Sequence, residues 1–117
     1  MIAGMHYVID FLEMEDSKIL NDPEKLVAYM EHTIQVAGLE MIGEPLIHKF
    51  EPHGLTYLVL LAQSHLAVHT WPEHHYMAVD FFTCGDPAEG QRACEGLKHL
   101  IPCGHIVEHV FERRTTL

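Results

Sequence analysis

The chain has 117 residues, 48% of them apolar and 21% charged, which fits one domain spanning residues 1–117 and excludes intrinsic disorder. Lys and Arg number 7 against 17 Asp and Glu, a formal net charge of −10, so no basic stripe exists to displace counterions and no nucleic-acid partner is expected. No apolar run approaches the roughly 18 residues of a membrane helix, so no membrane partner is expected either.

Residues 5–12 are rich in β-branched and aromatic side chains and predict a first strand. Glu13–Leu20 is polar and reads as a loop or short helical turn. Asn21-Asp22-Pro23-Glu24 combines a capping side chain, Pro for the first turn and an acid at the positive helix end. The predicted helix runs from Pro23 to Ala37, with Leu26, Tyr29, Met30, Thr33, Val36 and Ala37 on one face and Gly38 as its stop. Leu39–Lys49 predicts a second strand and Glu51-Pro52-His53-Gly54 a turn. The strongly apolar Leu55–Ala62 reads as a central strand. Leu66–Thr70 and Tyr76–Cys84 follow as strands around the turn Trp71–His75. Asp86-Pro87 repeats the capping logic, Pro102-Cys103-Gly104 ends that helix, and Ile106–Glu112 predicts the last strand. Short connections imply antiparallel pairing. The expected fold is α/β of the α+β kind: a two-layer sandwich with a mainly antiparallel sheet and two helices on one face.

The N-terminus lacks a basic stretch followed by a long apolar run, so no signal peptide is expected. Cys84, Cys94 and Cys103 are odd in number and form no CxxC, which favours a reducing cytoplasm over a disulfide framework. The unusual count is 11 His. His65 and His69 are spaced like a metalloprotease pair, but Leu66 stands where its glutamate would be. In a strand their Cα atoms lie about 13 Å apart, too far for one zinc, and no metal is predicted. Ser64, His69 and Cys84 could converge for nucleophilic chemistry. By spacing alone the structural reading weighs more: a turn serine, a hydrogen-bonded core histidine and a cysteine acting as a small buried hydrophobe.

The run Ser64-His65-Leu66-Ala67-Val68-His69-Thr70-Trp71-Pro72-Glu73, with Ala78-Val79-Asp80 and Phe82-Thr83-Cys84-Gly85-Asp86 after it, closely resembles the bacterial and archaeal S-adenosylmethionine decarboxylase proenzymes. His6 and Asp10 match that family's first strand, and His48-Lys49-Phe50 with Gly54-Leu55-Thr56 match the approach to its cleavage strand. The resemblance covers nearly the whole chain. It implies that the Ser64 hydroxyl attacks the carbonyl of Gln63, that the ester formed is eliminated, and that the residual dehydroalanine hydrolyses to a covalent pyruvoyl group and ammonia. The products would be Met1–Gln63 and a second chain beginning at residue 64. The pyruvoyl carbonyl would hold the substrate amine as a Schiff base and act as electron sink while carbon dioxide leaves. The implied catalytic residues are Ser64, His69 and Cys84: precursor, aid to proton removal, and general acid. Phe50 and His69 would flank the adenine of S-adenosylmethionine, Glu73 would bind its ribose hydroxyls, and Trp71 would be pocket wall or core. A homodimer of processed protomers in the cytoplasm, supplying aminopropyl groups for spermidine synthesis, completes the implied picture.

Two positions depart from the family pattern. Gln63 stands where a glutamate precedes the nucleophile; an amide cannot act as a base, which predicts slowed or absent self-cleavage. Thr56 stands where a serine polarises the scissile carbonyl, and its hydroxyl can donate the same bond. Two alternatives therefore stay open: a family member shifted to ornithine or arginine, and an unprocessed paralogue that binds without catalysis.

Overall fold

A computed structural model describes residues 1–117, the side chain of Ser17 excepted. Strand β1 (Ile2–Leu12) leads into a short helix α1 (Ser17–Asn21) and the longer α2 (Pro23–Val36). Strands β2 (Leu46–Lys49), β3 (Leu55–Leu61) and β4 (Ser64–Trp71) follow. A 3-10 turn (Pro72–His74), β5 (Tyr76–Thr83), α3 (Pro87–Leu100) and β6 (His105–Arg114) complete the chain. The six strands form one antiparallel sheet in the order β2-β3-β4-β5-β1-β6.

The caps act as the sequence predicts. Asp22 accepts from the amides of Glu24 and Lys25 ahead of α2, and Asp86 from that of Ala88 ahead of α3. Gly38, at φ 73°, closes α2 in a left-handed turn, with the Leu39 amide bonded back to the Ile34 carbonyl and that of Gly38 to the Gln35 carbonyl.

The helices cover one sheet face and bury Tyr7, Ile9, Phe11, Tyr57, Val59, Leu66, Val68, Val79 and Phe81 beneath them. Strand alternation sends the neighbours of these residues to the opposite, uncovered face. Leu46, Leu58, Leu60, Trp71 and Phe111 are exposed there.

The stretch after β1 takes the short helical turn of its two readings, as α1. Several expectations change. With α1 the structure has three helices where two were expected. Helix α2 buries Ile34 where Val36 was expected; a face through Leu26, Met30 and Thr33 takes in residue 34, and Val36 is exposed. The second strand is only Leu46–Lys49, preceded by a single bridge from Met41 to Leu61. Gly43, at φ 76°, and Pro45 interrupt any longer strand. The apolar β3 is second from one edge, and β4 and β5 hold the centre. Among the described residues no helix is long and apolar enough to cross a membrane.

Candidate active site

Leu61 pairs with Ser64 across the β3–β4 hairpin, so Ala62 and Gln63 form a two-residue turn and the Gln63–Ser64 peptide lies where the turn enters β4. Ser64 also pairs with Thr83 on β5, which brings the next residue, Cys84, beside the turn. The Cys84 amide donates to the Gln63 carbonyl at 2.8 Å, and the Cys84 thiol donates to the same oxygen at 3.2 Å. Ser64 is buried on the helix side and borders a cavity of about 250 Å³ reached by Gly38, Glu40, Thr83 and Glu89. Cys84 is exposed, which corrects its structural reading as a buried hydrophobe. The Gln63 side chain lies against Gly85: its Oε1 occupies the space that a β-carbon there would need.

The opposite end of the same hairpin carries the other expected residues. Thr56 faces His69 across the ladder, and Thr56 Oγ1 is hydrogen-bonded to His69 Nδ1 at 3.0 Å. His69 is exposed, not the core histidine of the structural reading. A depression of about 210 Å³ gathers Phe50, Thr56, His69, Trp71 and Glu73. The Trp71 ring stacks on Tyr76 with centroids 5.1 Å apart. Tyr76 in turn donates to Asp10 at 2.5 Å, and its phenol is pushed up to about 12 by burial and by that hydrogen bond. Trp71 is therefore part of a braced wall. His53, which sequence reasoning passed over as a turn residue, pairs with Glu73 at the rim of this depression.

The two groups do not meet within one chain. Ser64 and His69 are five residues apart on β4, about 16 Å of strand, and they point to opposite faces. Thr56 is separated from the Gln63 carbonyl by the same length of hairpin, so in one chain the donors to that carbonyl are those of Cys84. The open face between the two ends holds a His6–Asp80 pair, with His6 edge-on to Phe82.

A family model described as S-adenosylmethionine decarboxylase matches residues 5–114. An S-adenosylmethionine decarboxylase proenzyme of Prochlorococcus marinus (strain MIT 9313) is 38% identical over 114 residues, covering 97% of this chain and 90% of the relative. The protein of that name from Pelotomaculum thermopropionicum is 42% identical over 98 residues, covering 84% and 77%. Among solved structures, the adenosylmethionine decarboxylase of Aquifex aeolicus superposes with a TM-score of 0.88 at 33% identity, covering 99% of this chain and 94% of that one.

Proposed function

The chain belongs to the S-adenosylmethionine decarboxylase family, and we propose that it decarboxylates S-adenosylmethionine after breaking its own backbone between Gln63 and Ser64. The observation that carries this reading is the double donation from Cys84 to the Gln63 carbonyl. Attack by the Ser64 hydroxyl puts negative charge on that oxygen, and two donors already aimed at it stabilise the charge. The Ser64 oxygen bonds to the Gln63 carbonyl carbon first. The carbon–nitrogen bond then breaks as the carbonyl reforms, and the Ser64 nitrogen leaves as an amine carrying the proton that the hydroxyl gave up. Loss of the Ser64 α-proton expels the Gln63 carboxylate from the ester. Water then displaces the nitrogen of the resulting dehydroalanine as ammonia, leaving a pyruvoyl group.

The surroundings of Ser64 fit such a group, because a buried side chain bordering a cavity leaves room for the α-carbon to become planar. A pyruvoyl group there supplies a conjugated carbonyl that holds the substrate amine and takes up electrons as carbon dioxide leaves. The exposed Cys84 thiol is the general acid, delivering a proton to the carbon that lost the carboxyl. Phe50 and His69 flank the adenine, Trp71 walls the pocket, and Glu73 takes the ribose hydroxyls. His69 is oriented by Thr56.

The separation of Ser64 from His69 supports a homodimer in which His69, Thr56, Phe50 and Glu73 of one copy serve the Ser64 of the other. The uncovered sheet face, with Leu46, Leu58, Leu60 and Phe111 exposed, is a suitable contact for a second copy of itself. Three free cysteines support a reducing, cytoplasmic setting.

Intact-mass spectrometry should show two fragments split at Gln63–Ser64, and labelled S-adenosylmethionine should release carbon dioxide. A Ser64→Ala variant that still decarboxylates rules out the pyruvoyl route. Co-expressing Ser64→Ala with His69→Ala should restore activity that neither has alone. No restoration sinks the two-copy site while leaving the reaction itself intact.

A further inference from the structure

His53 lies outside the motifs that carry the family resemblance, yet it touches Glu73. The contact crosses from the turn between β2 and β3 to the 3-10 turn after β4. Both partners are partly exposed, at 39% and 36% of the side chain, so the pair is not a buried structural bridge. It stands instead as a wall between two depressions. One holds Phe50, Thr56, His69 and Trp71; the other holds Lys18, Asn21 and Asp22.

The turn bearing His53 is itself anchored. Asn21 Oδ1, at the end of α1, accepts from the Gly54 amide at 3.0 Å and from Lys49 Nζ at 3.2 Å. Thr70 Oγ1 donates to the Leu20 carbonyl at 2.6 Å and accepts from the Leu55 amide at 2.8 Å. Gly54, at φ 110°, lets the chain pass close to the Thr70 carbonyl, which a β-carbon would meet at 3.2 Å. The path from α1 through Gly54 to His53 is thus hydrogen-bonded at each end.

Resting on the reading of Glu73 as the ribose ligand, we propose that His53 is its positioning residue. The imidazole Nε2–H occupies one carboxylate oxygen, selects one rotamer of Glu73 and leaves the second oxygen free for a sugar hydroxyl. A carboxylate on a flexible stem loses conformational freedom when it binds; one already held loses less. His53 would therefore govern discrimination for a ribosylated ligand through its hold on Glu73.

The test compares 5′-methylthioadenosine with its 2′,3′-dideoxy counterpart, by titration calorimetry on the full-length protein. In wild-type protein the hydroxyl-bearing probe should bind more tightly. In His53→Ala that preference should shrink about fivefold, with binding of the dideoxy probe unchanged, and the loss should fall on KM for S-adenosylmethionine rather than on kcat. His53→Gln, whose amide can still donate, should restore the preference. Equal weakening of both probes, or an unchanged preference in His53→Ala, overturns the proposal. A wild-type protein that binds both probes equally overturns the ribose reading of Glu73 instead. Misfolding in His53→Ala would appear as a lowered melting temperature, and the His53→Gln comparison then decides.

Discussion

Cys84 reaches the Gln63 carbonyl through two groups at once, its main-chain amide at 2.8 Å and its thiol at 3.2 Å. One donor is a property of the backbone and survives every substitution except proline; the other belongs to the side chain. Because a thiol is a weaker donor than an amide, replacing Cys84 with alanine should slow cleavage at Gln63–Ser64 by about tenfold, less than loss of a full oxyanion donor, without abolishing it. Cys84→Ser, which keeps a donor, should cleave faster than Cys84→Ala. A time course of intact mass measures both. Equal rates in the alanine variant and the wild type would remove the thiol from the cleavage step.

The amide at residue 63 was expected to impair cleavage, since it cannot serve as a base. Its side chain, however, lies against Gly85, with Oε1 where a β-carbon would stand. A carboxylate in the same place would be turned toward Gly85 as well. Gln63→Glu should therefore leave the cleavage rate within about threefold of wild type, the scale of a small change in one polar contact. Acceleration well beyond that, followed on a denaturing gel, would restore the base role to this position.

Helix α3 carries two glycines with opposite expectations. A β-carbon on Gly90 would come within 2.6 Å of Thr83 Cγ2 and 3.6 Å of Tyr7, so this glycine lets the helix lie close over the strand next to Ser64. At Gly96 nothing lies within 4 Å. Gly90→Ala should destabilise the fold by about 1–2 kcal/mol, the overpacking cost less the gain in helix propensity. Gly96→Ala should stabilise by about 0.5–1 kcal/mol from propensity alone. Urea melts of the two variants check the contrast.

The sequence carried the helix ends and most strands because their signals are local. Asp22-Pro23 and Asp86-Pro87 carry their capping chemistry in adjacent residues, and the apolar stretch Leu66–Thr70 gives the middle of a strand that the structure extends to Ser64–Trp71. Sheet order is not local. The apolar character of β3 suggested the centre, but its neighbour β2 is exposed along its whole length and leaves β3 near the edge. The site shows the same division. Motif resemblance drew Ser64, His69 and Cys84 together as one group, whereas strand length separates His69 from the other two and face separates it from Ser64. His53 was illegible because a turn histidine has no periodicity; only the folded chain brings it to Glu73.

Alkaline pH should expose another part of the fold. Cys94 is buried on α3, and burial, reinforced by the nearby Glu108 carboxylate, pushes its thiol from 9.0 up to about 12. The folded chain thus keeps a proton that the unfolded chain gives up. Stability from this source is complete below about 9 and is lost as pH rises toward about 12. Tyr76, raised to about 12 by burial and its bond to Asp10, acts in the same direction. Melting temperature should therefore fall across that window. Cys94→Ala should start from a lower value at neutral pH, because a packed sulfur is lost, but should decline less steeply, by the equivalent of about one proton. Parallel curves for the variant and the wild type would show that the thiol is not a source of the alkaline loss.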